Sequence, residues 1–153
     1  MKIRDIMSEP VQTCTPETWL AQAARLMRDA DFGILPVVDS DSRVMGLLTD
    51  RDICLAIANS NRSPRAIAVH EVMTRKVTFV GADDDVGVAV STLKHARVRR
   101  APVLDGSGRL VGLLSVDDLA VRGIEGGLSA NEVIGLLRAL CERRPARHAS
   151  AAA

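Results

Sequence analysis

The chain repeats itself at one fixed offset, and this duplication constrains its fold more than any other feature. Placing residue n on residue n+66 aligns the two halves without a gap. The coincident residues, in chain order, are Met7 with Met73, Val11 with Val77, Pro36 with Pro102, Val37 with Val103, Asp39 with Asp105, Arg43 with Arg109, Gly46-Leu47-Leu48 with Gly112-Leu113-Leu114, and Asp52 with Asp118. Self-similarity at a constant spacing is the sequence signature of repeated supersecondary units. We therefore expect two copies of one unit.

Each copy shows the pattern strand, helix, strand, strand, helix, which predicts an α/β (α+β) fold. A short strand is predicted over residues 11–13. A helix is predicted to begin at Thr15, because an N-cap Thr, a Pro at the first helical position and an acid in the first turn favour a helix start. Its apolar residues recur at helical spacing. In the second copy, the corresponding helix follows the acidic run 83–85, whose charges suit the positive end of the helix dipole.

The second part of each copy is predicted to be a β-hairpin followed by a helix. The apolar runs 34–38 and 44–48 predict two strands in the first copy. In the second copy the turn at 105–108, Asp-Gly-Ser-Gly, is a strong hairpin signal. It lies between strands and does not lead into a helix, so it is not a phosphate loop. Thr49 and Ser115 each open the helix that follows.

These boundaries divide the chain into five segments. We predict a first repeat over 1–60, a linker over 61–66 in a polar stretch with Ser-Pro, and a second repeat over 67–126. A C-terminal helix is predicted over 127–144, because Ser129 with Glu132 forms a capping box and apolar residues follow at helical spacing. The Ala-rich tail 145–153 lacks apolar periodicity and is predicted to be disordered.

Composition excludes several classes of function. Twenty Lys and Arg against 19 Asp and Glu give a net charge of +1, without the clustered basic charge that nucleic acids and anionic membranes require. One Trp, two Phe and no Tyr provide few rings on which bases could stack. No apolar run approaches the ~20 residues of a membrane-spanning helix, and no secretory signal is visible. We expect a cytoplasmic protein with neither nucleic acid nor membrane as a partner.

Neither a metal site nor a catalytic site is indicated by the sequence. The three cysteines, Cys14, Cys54 and Cys141, are far apart and offer no metal-binding pair or disulfide framework. The three histidines are equally scattered, and neither a zinc-protease helix nor a nucleophile elbow occurs. We therefore predict no catalytic residues, no metal and no enzyme activity.

Two sets of motifs in one order resemble the CBS domain. The first set is Ile6-Met7-Ser8, residues 34–39 and residues 46–53; the second is Val72-Met73-Thr74, residues 99–105 and residues 112–119. The resemblance covers the chain from Lys2 to about Gly123. It implies a tandem pair related by a pseudo-twofold axis, a Bateman module, with clefts between the repeats.

The resemblance also implies a function. Members of this family bind AMP, ADP, ATP, S-adenosylmethionine, NAD or other adenosyl compounds as regulatory ligands, and usually regulate an attached enzyme, channel or transporter. We expect no attached effector, because the two repeats and the C-terminal helix account for nearly all of the 153 residues. We therefore expect a sensor that acts in trans on an unidentified protein effector, requires no cofactor, and forms a homodimer of four repeats in a disc.

Thr49 and Asp52 are the first candidate ligand-binding residues, and Ser115 and Asp118 repeat them. If each hydroxyl residue is the N-cap, its acid is at N3, and both lie at a helix start where free N–H groups favour phosphate. A carboxylate can accept hydrogen bonds from both ribose hydroxyls. The resemblance implies the same roles, with the hydroxyl toward phosphate and the Asp toward ribose. The alternative is that each pair only caps its helix, as a variant of the capping box.

Arg99 and Arg100 are candidates through the resemblance, because family members place basic residues against phosphates at these positions. Their counterparts at the 66-residue offset are Gly33 and Ile34. We therefore expect two clefts of unequal affinity, with one empty site as the extreme case. The alternative is a solvated charge run. For the whole protein, the alternatives to a ligand sensor are a ligand-free interaction or dimerisation module of the same fold and, with no visible residues for turnover, a small nucleotide hydrolase.

Overall fold

Both halves of the computed structural model, which describes residues 1–142, contain an antiparallel hairpin that leads into a helix. The strands are β1 (Ile34–Val38), β2 (Val44–Thr49), β3 (Val80–Gly81), β4 (Arg100–Leu104) and β5 (Leu110–Ser115). The helices are α1 (Leu20–Ala30), α2 (Asp50–Ala58), α3 (Val86–Ala96), α4 (Val116–Asp118), which continues as a π-helix over Leu119–Gly123, and α5 (Ala130–Cys141), with short 3₁₀ turns at Ile3–Asp5 and Val69–Glu71. The predicted mixed α/β fold is confirmed.

The two hairpins have the same register. Pro36 lies opposite Leu47 in β1 and β2, and Pro102 lies opposite Leu113 in β4 and β5. Each hairpin also has an irregularity at the same place, near the end of its first strand. The predicted strands over 34–38 and 44–48 are therefore present, with β2 continuing to Thr49.

The first strand of the first repeat is predicted wrongly. Residues 11–13 form no strand; instead Cys14 makes a single parallel bridge to Val37. The N–H of Cys14 donates to the carbonyl of Pro36 at 3.1 Å, and its own carbonyl accepts from Val38 at 2.9 Å. In the second repeat the equivalent pairing is longer, since β3 runs parallel to β4. The sequence pattern of residues 11–13 did not show that Cys14, the next residue, is the one that pairs with β1.

The predicted helix start at Thr15 is also wrong, because α1 begins at Leu20. The Thr15 N–H donates to Thr18 Oγ1 at 3.0 Å, which closes a local turn. The carbonyls of Pro16 and Thr18 accept hydrogen bonds from the backbone of His70 and Val69, at 2.9 and 2.8 Å. These two carbonyls therefore accept hydrogen bonds from the second half of the chain and are not available for hydrogen bonds within a helix.

Each repeat sends its N-terminal segment across to the other repeat. Ser8 pairs with Leu113, and its counterpart Thr74 pairs with Leu47, both antiparallel. Close packing at these crossings explains why both repeats have a glycine at the same position, Gly46 in the first and Gly112 in the second. A Cβ on Gly46 would lie 2.8 Å from the Met73 sulfur, and a Cβ on Gly112 would collide with Met7.

The exchange divides the apolar interior into two interlocked cores. Ile3 and Ile6, from the N-terminus, pack in the core of the second repeat. Ile67, Val69 and Met73, which precede the second repeat's α3, pack in the core of the first. Because each core is completed by the other repeat's chain, we expect the two repeats to unfold together.

The acidic run 83–85 anchors the N-terminus as well as preceding a helix. Asp84 accepts a hydrogen bond from the Gly81 N–H at 2.8 Å, Asp83 pairs with Arg4, and Asp85 lies 3.1 Å from the Lys2 ammonium. Asp85 is the residue before α3, but its side chain makes no capping hydrogen bond. The helix dipole alone therefore does not account for this run.

The predicted C-terminal helix is present as α5. Ser129 and Glu132 form the expected capping box. Val133 and Leu136 are buried, and Leu136 belongs to the core of the second repeat. The helix therefore packs on the body of the protein. Residues 143–144 and the predicted disordered tail 145–153 lie outside the described residues.

Candidate functional site

The residue pair Thr49 and Asp52 forms a complete capping box at the start of α2. The Thr49 N–H and hydroxyl both donate to Asp52 Oδ2, at 2.9 and 2.7 Å, and the Asp52 N–H donates to Thr49 Oγ1 at 3.2 Å. Ser115 and Asp118 repeat this geometry, with corresponding distances of 2.8, 2.5 and 3.1 Å. The capping role foreseen as the alternative is thus fulfilled, and a ligand would meet groups that are already ordered.

The free N–H groups expected at the start of α2 are occupied within the protein. The Asp50 N–H donates to the Gly33 carbonyl at 3.1 Å, and the Arg51 N–H donates to Asp50 Oδ1 at 2.7 Å. With the Asp52 N–H on Thr49, the first three amides of the helix are satisfied. An anion at this place must therefore be held by side chains.

The two aspartates differ in what their second oxygen contacts. Asp118 Oδ1 accepts a hydrogen bond from the Ser8 hydroxyl at 3.2 Å. Within residues 1–142, Asp52 Oδ1 accepts none, although Thr74, the counterpart of Ser8, lies in the equivalent segment. Only Asp52 therefore keeps a free carboxylate oxygen for a ligand hydroxyl.

An open cleft between the repeats contains three of the predicted site residues. Its volume is about 400 Å³, within the range for small-molecule sites. It is lined by Gly33, Ile34, Leu47, Thr49, Asp50, Arg51, Thr74, Lys76, Thr78, Val98, Arg99 and Arg100. Thr49, Arg99 and Arg100 are therefore brought together. Asp52 is half-buried and hydrogen-bonded to Thr49, but it is not one of the lining residues.

Charge in this cleft is mainly positive. Arg51, Lys76, Arg99 and Arg100 are cations at neutral pH, and Asp50 is the acid among the lining residues. Three aliphatic side chains, Ile34, Leu47 and Val98, provide an apolar surface beside them. A ligand with an apolar planar part and a negatively charged part fits this division.

Arg100 differs from the other three cations because one of its donor atoms, Nε, is buried without a hydrogen-bond partner in residues 1–142. Its Nη2 lies 3.8 Å from Asp117 Oδ2, which is too long for a hydrogen bond, and its guanidinium carbon lies 5.3 Å from the centre of the Phe32 ring. An unsatisfied buried donor costs about 1–3 kcal/mol, so an acceptor entering the cleft gains from meeting it.

The second cleft is smaller and carries no basic side chain. Its volume is about 140 Å³, and it is lined by Ser8, Pro10, Val11, Gln12, Ala30, Phe32, Ile34 and Leu113. Ser115 is only 6% exposed, and neither it nor Asp118 lines this cleft. The structure thus buries Ser115, leaves Asp118 half-buried and places neither residue in the wall of this cleft.

Sequence reasoning missed Arg51 and Lys76 as members of the open cleft. Their counterparts at the 66-residue offset are Asp117 and Pro10, as those of Arg99 and Arg100 are Gly33 and Ile34. A comparison of charges between the two halves would have found all four cations. That the residues from 74 to 78 face Thr49 depends on the bridge between Leu47 and Thr74, which sequence alone does not reveal.

The remaining polar residues offer no alternative centre. Within residues 1–142, no three His, Cys, Asp or Glu side chains lie close enough together to hold a metal ion. All three cysteines are free, and burial raises the pKa of the Cys14 thiol to about 11. None of the described helices is long and apolar enough to cross a membrane.

Comparison with known proteins gives the same architecture. The sequence model of the CBS domain matches residues 3–59 and 69–123. Among curated proteins, an uncharacterized 17.7 kDa protein of Acidianus ambivalens is 34% identical over 140 residues, covering 88% of this chain and 83% of its own length. Hypoxic response protein 1 of Mycobacterium tuberculosis is 30% identical over 138 residues, covering 90% of this chain and 92% of its own.

Two solved structures illustrate the likeness. The crystal structure of hypoxic response protein 1, described with two coordinated zinc ions, has a TM-score of 0.71 at 30% identity and covers 84% of this chain and 100% of its own. The CBS domain pair of protein MJ0100, described in complex with 5′-methylthioadenosine and S-adenosyl-L-methionine, has a TM-score of 0.72 at 26% identity, covering 84% and 98%.

Proposed function

The chain belongs to the CBS-domain family, and we propose that it is a regulatory module that binds an adenine nucleotide or related adenosyl ligand in its open cleft. The observation that carries the proposal is the meeting of Thr49, Arg99 and Arg100, from different repeats, around one apolar surface. The MJ0100 domain pair, of the same family, is described with two adenosyl compounds bound. That description supports the ligand class.

Each part of such a ligand has a matching group in the cleft. The Arg99 and Arg100 guanidinium groups offer charge-assisted donors to phosphate oxygens, and the Thr49 hydroxyl can turn toward the same oxygens. A ribose hydroxyl would donate to the free Oδ1 of Asp52. The base would lie on aliphatic side chains such as Ile34 and Val98, since the cleft is lined by no aromatic residue. The proposal assigns no chemical step to the cleft.

Transmission of the signal in trans is the second part of the proposal. Exposed apolar side chains lie on the second helix of each repeat, Leu55 and Ile57 in the first and Val121 and Ile124 in the second. Such residues suit burial against a second copy, so we propose a cytoplasmic homodimer that presents ligand-dependent surfaces to a protein effector. A ligand can shift such a module only through different affinities for its two states.

Thermal unfolding with a ligand panel tests the binding. The panel contains AMP, ADP, ATP, S-adenosylmethionine, NAD and a guanine nucleotide as a negative control, and calorimetry follows any positive result. A ligand at about 100 times its Kd stabilises by about 2.7 kcal/mol, which corresponds to roughly 5–10 °C for a chain of this length.

Two matched variants separate binding from helix capping. Asp52→Ala and Asp118→Ala remove equivalent capping carboxylates, and loss of the cap should cost about 1 kcal/mol of stability in each. Asp118→Ala should cost more in total, because it also removes the hydrogen bond from Ser8. Only Asp52→Ala removes the free carboxylate oxygen behind the open cleft, so only this variant should lose the ligand-induced shift. A shift that both variants retain would show that the ligand binds without Asp52, whereas no shift in the wild type favours the ligand-free interaction module.

A further inference from the structure

Arg100 lies between the two clefts. It is the first residue of β4 and lines the open cleft. Its guanidinium carbon lies 5.3 Å from the ring centre of Phe32, which lines the smaller cleft. Ile34, the counterpart of Arg100 in the duplication, lines both. A change in the position of Arg100 in the open cleft would therefore alter the wall of the smaller cleft.

The present contacts of Arg100 are weak enough to be exchanged. Asp117, 3.8 Å away, has a side chain that is 85% exposed, and ion pairs with exposed partners contribute little. The buried Nε makes no hydrogen bond within the described chain. Phosphate oxygens accept short, charge-assisted hydrogen bonds from arginine, often two at once. A phosphate in the open cleft would therefore outcompete Asp117 and Phe32 for this guanidinium.

The Phe32 ring lies beside two cavities into which it can turn. Besides the smaller cleft, the Phe32 side chain borders a third cavity of about 450 Å³, lined also by Met27, Gly33 and Cys54. The ring is half-buried, follows the left-handed residue Asp31 that ends α1 (φ 54°), and is not part of a strand. Release of the cation–π contact leaves the ring free to turn between two cavities, which would reshape the wall of the smaller cleft.

We infer that Arg100 couples the two clefts: a phosphate bound in the open cleft withdraws the guanidinium from Phe32 and Asp117, and the smaller cleft changes shape in response. This inference rests on the proposed function of the open cleft. It identifies the phosphate as the part of the ligand that is sensed. Suppose that phosphate in the open cleft changes the affinity of the smaller cleft for a second molecule by some factor. By linkage, that molecule changes the affinity of the open cleft for the phosphate ligand by the same factor.

Methyl NMR of the full chain distinguishes the two clefts. Methyl groups of Leu47 and Thr78 report on the open cleft, and those of Ala30 and Leu113 report on the smaller one, where movement of the Phe32 ring changes their shifts. AMP and adenosine are titrated to saturation. AMP should shift both sets of methyl signals, whereas adenosine, which lacks the phosphate, should shift the open-cleft set alone.

Arg100→Lys and Arg99→Lys form a matched pair of variants. Both keep a positive charge in the open cleft, but only Arg100 has the cation–π contact with Phe32. At saturating AMP, Arg100→Lys should lose the response of Ala30 and Leu113 and keep that of Leu47 and Thr78, while Arg99→Lys keeps both. A response of Ala30 and Leu113 that survives Arg100→Lys, or that is absent in the wild type while Leu47 and Thr78 respond, overturns the coupling alone. Silence of all four residues overturns the proposed function together with it.

Discussion

The Ser8 hydroxyl donates a hydrogen bond to Asp118 across the boundary between the repeats, at 3.2 Å, and their counterparts Thr74 and Asp52 make no such bond within the described chain. Two segments with the same backbone pairing thus end in different side-chain arrangements. In one, the acid is held by the protein; in the other, it keeps an oxygen for a ligand. This difference, with the unequal charge of the clefts, is the physical basis for expecting one principal site.

Removal of the Ser8 hydroxyl should be more costly than the same change at its counterpart. Ser8→Ala removes a part-buried hydrogen bond to a carboxylate and should lower the free energy of unfolding by about 1–3 kcal/mol. Thr74→Ala removes no bond to Asp52 and should cost less. Urea denaturation of the two variants measures the difference, and equal losses would show that the Ser8–Asp118 bond contributes nothing.

The glycines at the crossings should not tolerate a methyl group. In Gly46→Ala the new Cβ would approach the Met73 sulfur and the Thr74 carbonyl at 2.8 and 2.9 Å, and overpacking of this kind costs about 1–3 kcal/mol. Gly87 lies in α3 with nothing within 4 Å of a built Cβ. Gly87→Ala should therefore stabilise the protein by roughly 0.5–1 kcal/mol through helix propensity. Thermal unfolding should show opposite shifts, and a stabilised Gly46→Ala would contradict this packing.

The ion pair of Arg62 with Glu71 should make the free energy of unfolding depend on pH in the acidic range. Hydrogen bonds from the Arg62 side chain, followed by that from the Ala68 N–H, lower the pKa of Glu71 from 4.5 to about 2. Since the folded pKa is lower than the unfolded one, the stabilisation is present above pH 4.5 and is lost as the pH falls toward about 2. Glu71→Gln should lose this component, so its unfolding midpoint should approach that of the wild type in the same window. A constant difference at every pH would contradict the assignment.

Arg100 should lower the free energy of unfolding of the unliganded protein while raising its affinity for AMP. Arg100→Met keeps a long apolar stem and removes the buried Nε that lacks a partner. The free energy of unfolding without ligand should therefore be unchanged or higher, by up to about 1–3 kcal/mol. Binding of AMP should weaken in the same variant, because phosphate loses a guanidinium. Denaturation and calorimetry measure the two effects, and a variant that is both destabilised and fully able to bind AMP would refute this role.

Much of the fold could be predicted because its determinants are short-range in the sequence. The hairpin 34–49, the capping boxes at Thr49 and Ser115 and the start of α5 after Ser129 all depend on residues within a few positions of each other. The predictions failed at residues 11–18, where partners lie far away in the chain. Pro16 and Thr18 are paired with His70 and Val69, and Cys14 is paired with Val37.

The candidate site was predictable to the same extent. Thr49 and Asp52 could be found from their motif, and Arg99 and Arg100 from the resemblance, but the cleft that the arginines face could not. That assignment depends on the Leu47–Thr74 bridge, which brings the segment with Thr74 and Lys76 to the cleft that Thr49 lines. Likewise, the burial of Ser115 and the contact of Arg100 with Phe32 result from packing between repeats.

By itself, the sequence determined the duplication, the hairpin–helix unit and the residue types at the head of each second helix, because i to i+3 chemistry and alternating apolar patterns act locally. The tertiary structure was needed to show which cleft receives the cations and which aspartate keeps an oxygen without a partner in the described chain. The second assignment depends on side chains as far apart as Ser8 and Asp118, separated by 110 positions. Crossing of the two N-terminal segments brings such pairs together, and no local pattern records which hydroxyl will meet which carboxylate.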